Sequence, residues 1–230
     1  DGGAIHYRSG MAALRVERSV FVGNSAAAGG AITFDSIGSG SAEVVECTIA
    51  GNDAGQFGGG IYAPWGDLEL HRTIVSLNCD LPTVEGRDIY FGGSDLLTAT
   101  CCALDSTGIN DLSRLIRTDD QVWTSPRFCD ERVCYEDTWD DDESIQPASN
   151  SLCAPWNSPC GALIGAREVG CGWNGAGACC IGEVCVLLTE TECEAVSGTF
   201  YGEGVTCAEA GCTSTAVEET TWGRVKARFR

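Results

Sequence analysis

Basic residues are scarce in this chain: 14 Lys and Arg stand against 33 Asp and Glu, a net charge of −19. Such a balance disfavours nucleic acid or an anionic membrane as partner and suits a solvated surface, one that can also attract hard cations. Methionine occurs once and histidine twice, as His6 and His71. The two histidines lie far apart and join no triad with a nucleophilic serine, so both read as surface residues. No run approaches the roughly 18 apolar residues of a membrane-spanning helix. No charged start followed by an apolar core marks a signal peptide. Amphipathic runs of helical length are missing too, because glycine interrupts them.

Glycine and cysteine are the residues in excess, with 30 and 15 among 230. Cysteine at this density points to an oxidising compartment outside the cytosol. The chain opens inside a repeat, and a removed leader would reconcile secretion with the missing signal peptide.

That repeat decides the fold class. Gly2-Gly3-Ala4-Ile5 returns as Gly29-Gly30-Ala31-Ile32 and Gly58-Gly59-Gly60-Ile61, with a worn copy at Gly86-Arg87-Asp88-Ile89. Between the copies lies a second phrase, Phe21-Val22-Gly23-Asn24, Ile49-Ala50-Gly51-Asn52 and Val75-Ser76-Leu77-Asn78. A period of this length means stacked equivalent units. Each period alternates apolar and polar residues, with one slip where the chain bends: Leu14, Val16, Ser19, Phe21, then Ala42, Val44, Cys47, Ile49. Leu68, Leu70, Thr73, Val75 and Leu97, Ala99, Cys102, Leu104 continue the series. Alternation of period two gives short strands. Short strands with glycine corners predict an all-β fold, a right-handed parallel β-helix of about five coils over residues 1–170. A disulfide module over 171–213 and a linker with basic tail over 214–230 complete the expected organisation.

Stacking the coils predicts three columns. Phe21, Ile49, Val75 and Leu104 form an internal one. Asn24, Asn52 and Asn78 form a corner ladder, since asparagine tolerates left-handed backbone and its amide bonds both to corner backbone groups and to the next asparagine. Arg18, Glu46 and Arg72 place opposite charges one rung apart, beside a mixed column of Arg15, Glu43 and Glu69.

The paired glycine and asparagine phrases resemble right-handed parallel β-helix repeats, in particular those of polymorphic outer-membrane adhesins, over roughly residues 1–110. The stretch from Ser125-Pro126-Arg127-Phe128-Cys129-Asp130 to Leu163-Ile164-Gly165-Ala166 is similar to the closing turns of secreted bacterial β-helix proteins. Its first phrase departs from their pattern at Ser125 and Arg127, and the loop before Cys153 is longer. The resemblance implies a secreted bacterial protein, extracellular or on the cell surface.

Cys179, Cys180, Cys185, Cys193, Cys207 and Cys212 crowd into one short segment that cannot bury a core of its own. Three disulfides are expected there, with 15 connectivities open. A zinc site would want histidine or paired CxxC spacing, and neither is present. Nine cysteines remain, an odd number, so at least one stays free or bonds another chain. Cys47 and Cys102 fall on an internal column, two rungs apart, too far for a bridge, and read as small buried hydrophobes. Cys129–Cys134 and Cys153–Cys160 are the local pairs the spacing suggests.

For chemistry the residues offer little. Polysaccharide cleavage needs carboxylates paired on neighbouring rungs, and no aspartate pair recurs there, so no catalytic residue or cofactor is assigned. The run Glu136-Asp137-Thr138-Trp139-Asp140-Asp141-Asp142-Glu143 could present Asp137, Asp140 and Asp142 to calcium, although it lacks the glycine and spacing of an EF-hand and reads first as a solvated acidic loop. In the tail, Val225, Ala227 and Phe229 alternate with Arg224, Lys226, Arg228 and Arg230 after Trp222, a strand pattern able to add to a sheet edge. The tail also resembles the basic C-terminal signatures of secreted bacterial proteins. Since a solenoid needs its ends covered, the cysteine-rich module is the expected lid at one end. Gly2, Gly3 and Ile5 at the other end, with Trp222, Val225, Ala227 and Phe229, are the expected self-association residues. The functional expectation is a secreted structural or adhesive protein that joins head to tail into a filament, with surface glycans as further partners. A polysaccharide-binding or polysaccharide-cleaving β-helix is the alternative.

Overall fold

The computed structural model describes residues 2–9, 12–36, 40–80, 86–92, 95–117, 120–129, 145–172, 175–182 and 184–212. The chain divides into two units, 1–171 and 172–230.

The first unit is a parallel β-solenoid with four strands to a turn. Strands β1 (Ile5–Ser9), β2 (Leu14–Glu17), β3 (Val20–Val22) and β4 (Ser25–Ala28) make the first turn. The second is β5 (Ile32–Ser36), β6 (Ser41–Val45), β7 (Thr48–Ala50) and β8 (Asp53–Phe57). The third is β9 (Ile61–Trp65), β10 (Asp67–His71), β11 (Ile74–Val75) and β12 (Cys79–Asp80). After them come β13 (Ile89–Phe91), β14 (Leu97–Thr100), β15 (Ala103–Leu104) and β16 (Leu115–Arg117). The strands stack into four sheets: β1-β5-β9-β13, β2-β6-β10-β14-β16, β3-β7-β11-β15 and β4-β8-β12.

The predicted register is the observed one. Phe21 pairs with Ile49, Ile49 with Val75 and Val75 with Leu104; all four are buried. Leu14, Ala42, Leu68, Leu97 and Leu115 form a second internal row, and Ile5, Ile32, Ile61 and Ile89 a third.

The two glycines of the repeated phrase serve different needs. Gly29, Gly58 and Gly86, each first in its copy, have φ of +64°, +62° and +72°, a backbone that side chains disfavour. The second glycine lies flat against the next rung. A methyl at Gly3 would overlap the Gly30 carbonyl oxygen, one at Gly30 that of Gly59, and one at Gly59 that of Cys79. The fourth copy has Arg87 at this place, where the β4-β8-β12 sheet has ended.

The number of turns corrects the sequence reading: about three, not five. Three turns have all four strands; β13, β14 and β15 have no fourth partner, and after short 3-10 turns at Ser106–Gly108 and Leu112–Arg114 only a partial rung follows, with Ile109 bridged to Ile89, β16 paired with β14 and Val122 bridged to Ala103. Among the described residues after Val122, 128–129 and 145–166 pair with no further rung of the four sheets. They form a strap over the outer face of the β3-β7-β11-β15 sheet. Phe128, Ile145, Cys153 and Ile164 pack there with Ala50, Ile74 and Ala103, and Val20 and Val22 of the first turn border the cluster. Gly165 N–H donates to the Arg72 carbonyl at 2.8 Å and Ala166 N–H to Thr48 Oγ1 at 3.0 Å. Gly165 is the closest point, since a methyl there would come within 2.8 Å of Ile74 Cδ1 and Thr48 Oγ1. The physical reason is the strand chemistry. Thr48-Ile49-Ala50, Ile74-Val75 and Ala103-Leu104 are apolar at both alternating positions or close to it, so the sheet needs cover on both faces.

The second unit is a three-stranded antiparallel sheet, order β18-β17-β19, of β17 (Ala176–Ile181), β18 (Val184–Thr189) and β19 (Thr199–Glu203). It also holds two short helices, α1 (Glu190–Ala195) and α2 (Cys207–Ala210), each started by a capping box, Thr189 with Glu192 and Thr206 with Glu209. Three disulfides close it: Cys179–Cys193, Cys180–Cys212 and Cys185–Cys207.

Candidate functional site

The asparagines form a continuous hydrogen-bonded ladder inside one corner. Asn24 Nδ2 donates to Asn52 Oδ1 at 2.8 Å, and Asn52 Nδ2 to Asn78 Oδ1 at 2.9 Å. Each acceptor also takes the backbone N–H of the asparagine above, at 3.1 Å in both cases. Asn52 and Asn78 donate further to Phe21 O at 2.9 Å and Ile49 O at 3.0 Å. Both are fully buried, so the ladder satisfies backbone groups that the corner would otherwise leave bare.

The ladder continues one step past the asparagines. Asp88 Oδ1 accepts from both the N–H and the Nδ2 of Asn78, at 2.9 Å. Asp88 is the third residue of the worn glycine phrase, where the other copies have Ala4, Ala31 and Gly60. A charged residue at a position otherwise held by alanine or glycine was the signal for it, and sequence reasoning missed it. Arg87 Nη2 lies 3.4 Å from Asp88 Oδ2 and also holds Asp105.

At the corner between the second and third sheets, the chain takes left-handed backbone in every turn, at Arg18, Glu46, Arg72 and Cys101, with φ of 45°, 52°, 44° and 53°. Holding a non-glycine residue there costs about 1 kcal/mol. The side chains form the expected charge column: Arg18 Nε lies 3.8 Å from Glu46, and Arg72 donates to Glu46 through Nε at 3.1 Å and through Nη2. The fourth position of the column is Cys101, bridged to Cys160 of the strap. Covalent anchorage thus takes the place of an ion pair. Next to this column, Arg15 pairs with both Glu17 and Glu43, and His71 lies 3.7 Å from Glu69. The hydrogen bonds from Arg15 hold the Glu17 and Glu43 carboxyls below their ordinary range.

The outer face of the β1-β5-β9-β13 sheet has another character. Tyr62 and Tyr90 are register partners, and with Phe57 they form a ring cluster with centroids 4.8 to 5.9 Å apart. Trp65, at the end of the same strand as Tyr62, is 53% exposed. The spacing of Tyr62 and Tyr90, one repeat period, was the sequence signal for this cluster.

The cysteines overturn both local pairings. Cys129 bonds Cys171 and Cys160 bonds Cys101, while Cys153 is free and buried with Cys47 and Cys102. Cys79 is disulfide-bonded as well. Long-range bridges win because residues 145–171 lie back along the coil. Burial pushes the Cys102 and Cys153 thiols up to about 12 and raises Cys47, so all three are packing groups rather than nucleophiles. Two clusters bring possible metal ligands together, Cys180 with Cys185 and Cys212, and Cys101 with Asp120 and Cys160. Their sulfurs are tied in disulfides and offer no thiolate.

Gly2, Gly3 and Ile5 lie in the first turn, where Gly3 N–H donates to Gly29 O at 3.1 Å. The calcium candidates Asp137, Asp140 and Asp142 lie outside the described residues, as do Trp222, Val225, Ala227 and Phe229. No described helix is long and apolar enough to cross a membrane. No protein-family model matches the chain, and no curated protein or solved structure was found to match it.

Proposed function

We propose that this chain is a secreted structural or adhesive scaffold of adhesin type that joins head to tail with copies of itself. The observation that carries the reading is the in-register rung. Each of β1, β2, β3 and β4 pairs in parallel with the strand one turn on, so a rung meets the next along four parallel edges at once. Strand edges of this kind pair readily with another chain. The first described rung is basic on balance in an otherwise acidic chain: Arg8, Arg15 and Arg18 outnumber Glu17 there, and are seated on Asp35, Glu43 and Glu46 of the second turn. The last turns carry Asp88, Asp95, Asp105, Asp111 and Asp120 against Arg87, Arg114 and Arg117, with Asp105 and Asp111 paired to Arg87 and Arg114, and so stay acidic on balance. A copy that stacks its acidic end on this basic rung repeats the contact already made between turns one and two. Head-to-tail contacts that do not close give filaments. Five disulfides fix the described parts against unfolding and suit an oxidising, extracellular setting.

Electron microscopy and sedimentation of the purified chain test the proposal. Filaments or concentration-dependent oligomers are expected, weakened by salt and by the double charge reversal Arg8→Glu with Arg15→Glu. Monodisperse monomers at every concentration and salt would overturn it. Deleting residues 222–230 separates the two candidate contacts: assembly that survives the deletion rests on the first-turn edge alone.

A further inference from the structure

The asparagine ladder ends on a carboxyl that water does not reach. Asp88 is 0% exposed. Its Oδ1 is engaged by Asn78, whereas Oδ2 has Arg87 Nη2 at 3.4 Å. That same nitrogen holds Asp105, whose side chain is one-third exposed. Gly108 closes the remaining side: a methyl there would overlap Oδ2, and the Asp88 N–H donates to Gly108 O at 2.9 Å. Arg87 Nε is buried and has no hydrogen-bond partner. One guanidinium is therefore divided between two carboxylates, only one of which is partly hydrated. The charged groups facing Asp88 are Arg87 and Asp105; Arg87 and the two bonds from Asn78 favour the ionised form and Asp105 opposes it more weakly, but burial outweighs them all. Burial disfavours the ionised form.

We propose that Asp88 is a proton-operated latch on the last turns of the solenoid. A proton taken from solvent onto Oδ2 leaves Oδ1 in place as the acceptor that ends the ladder, and frees Arg87 to pair with Asp105 alone. Loss of that proton leaves a buried charge beside a guanidinium it must share. The latch therefore tightens the contacts that join Asn78, Asp88 and Gly108 in mild acid and loosens them towards neutrality. Burial pushes the Asp88 carboxyl up to about 6, against about 4 in an unfolded chain. Because the folded value is the higher, the stabilising contribution is complete below about pH 4 and is lost as pH rises through about 6.

The test compares urea unfolding of the full-length protein with that of Asp88→Asn. Asparagine keeps the Oδ1 acceptor and carries no titrating proton. The ratio of the two unfolding constants is expected to change about tenfold between about pH 5 and about pH 8, with the variant gaining on the native chain as pH rises. Parallel pH profiles would overturn the latch, since carboxylates elsewhere are common to both proteins. Carbon-13 NMR of the Asp88 carboxyl in the native chain gives a second readout that does not depend on the variant folding. A titration midpoint near 6 supports the latch, and one near 4 contradicts it.

Discussion

Replacing Asn52 with alanine is expected to destabilise the solenoid by about 4 kcal/mol, several times the loss at Asn24. Asn52 is fully buried and sits in the middle of the ladder. Its Nδ2 donates to Phe21 O, Ala50 O and Asn78 Oδ1, and its Oδ1 accepts from the N–H and Nδ2 of Asn24. Truncation leaves those groups unpaired in a space water does not enter, and each orphaned group costs about 1 to 3 kcal/mol. Asn24 is at the partly buried end, where its Nδ2 reaches Val22 O and Asn52 Oδ1. Water replaces much of what alanine removes there, and about 1 kcal/mol is expected. Urea midpoints of the two variants decide the matter. Equal, small losses would mean that the ladder is incidental to stability and the apolar columns alone hold the turns.

The second large effect concerns the strap. Cys101–Cys160 closes a separation of 59 residues, and Cys129–Cys171 one of 42. Constraining loops of that length in the unfolded chain stabilises by about 4 kcal/mol each in the chain-entropy view. The Cys101→Ala, Cys160→Ala double variant is therefore expected to lose about 4 kcal/mol. It should also expose the face that Ile164 and Phe128 cover over Ala50 and Ile74, so dye binding to apolar surface should rise and proteases should cut first within 145–171. Loss of stability without new apolar exposure would place the bridge outside the strap contact. A bridge between Cys153 and Cys160 in place of the native one would remove only a short loop and much less stability.

The legible part of this fold was local and periodic. Phe21, Ile49, Val75 and Leu104 could be aligned by eye because each turn repeats the same alternation, and the asparagine corner followed from the same register. The left-handed first glycine and the tightly stacked second one turn a composition bias into a geometric rule. What could not be read was non-local. Thr48-Ile49-Ala50 announces two-sided burial, yet nothing near it names its cover, which arrives from Ala166, 118 residues away. The Leu163-Ile164-Gly165-Ala166 phrase looked like another coil because it shares the glycine and aliphatic vocabulary of one. The cysteine pairs followed the strap for the same reason. Asp88 was hidden differently. It sits in a degenerate copy of the repeat, and its meaning emerged only when Asn78 was seen to bond it.

Disulfide mapping by non-reducing digestion and mass spectrometry tests most directly the claim that a short solenoid is strapped along its flank. The account predicts peptides joining Cys101 to Cys160 and Cys129 to Cys171, with Cys47, Cys102 and Cys153 recovered as thiols. Recovery of Cys153–Cys160 or Cys129–Cys134 as the main species would contradict it.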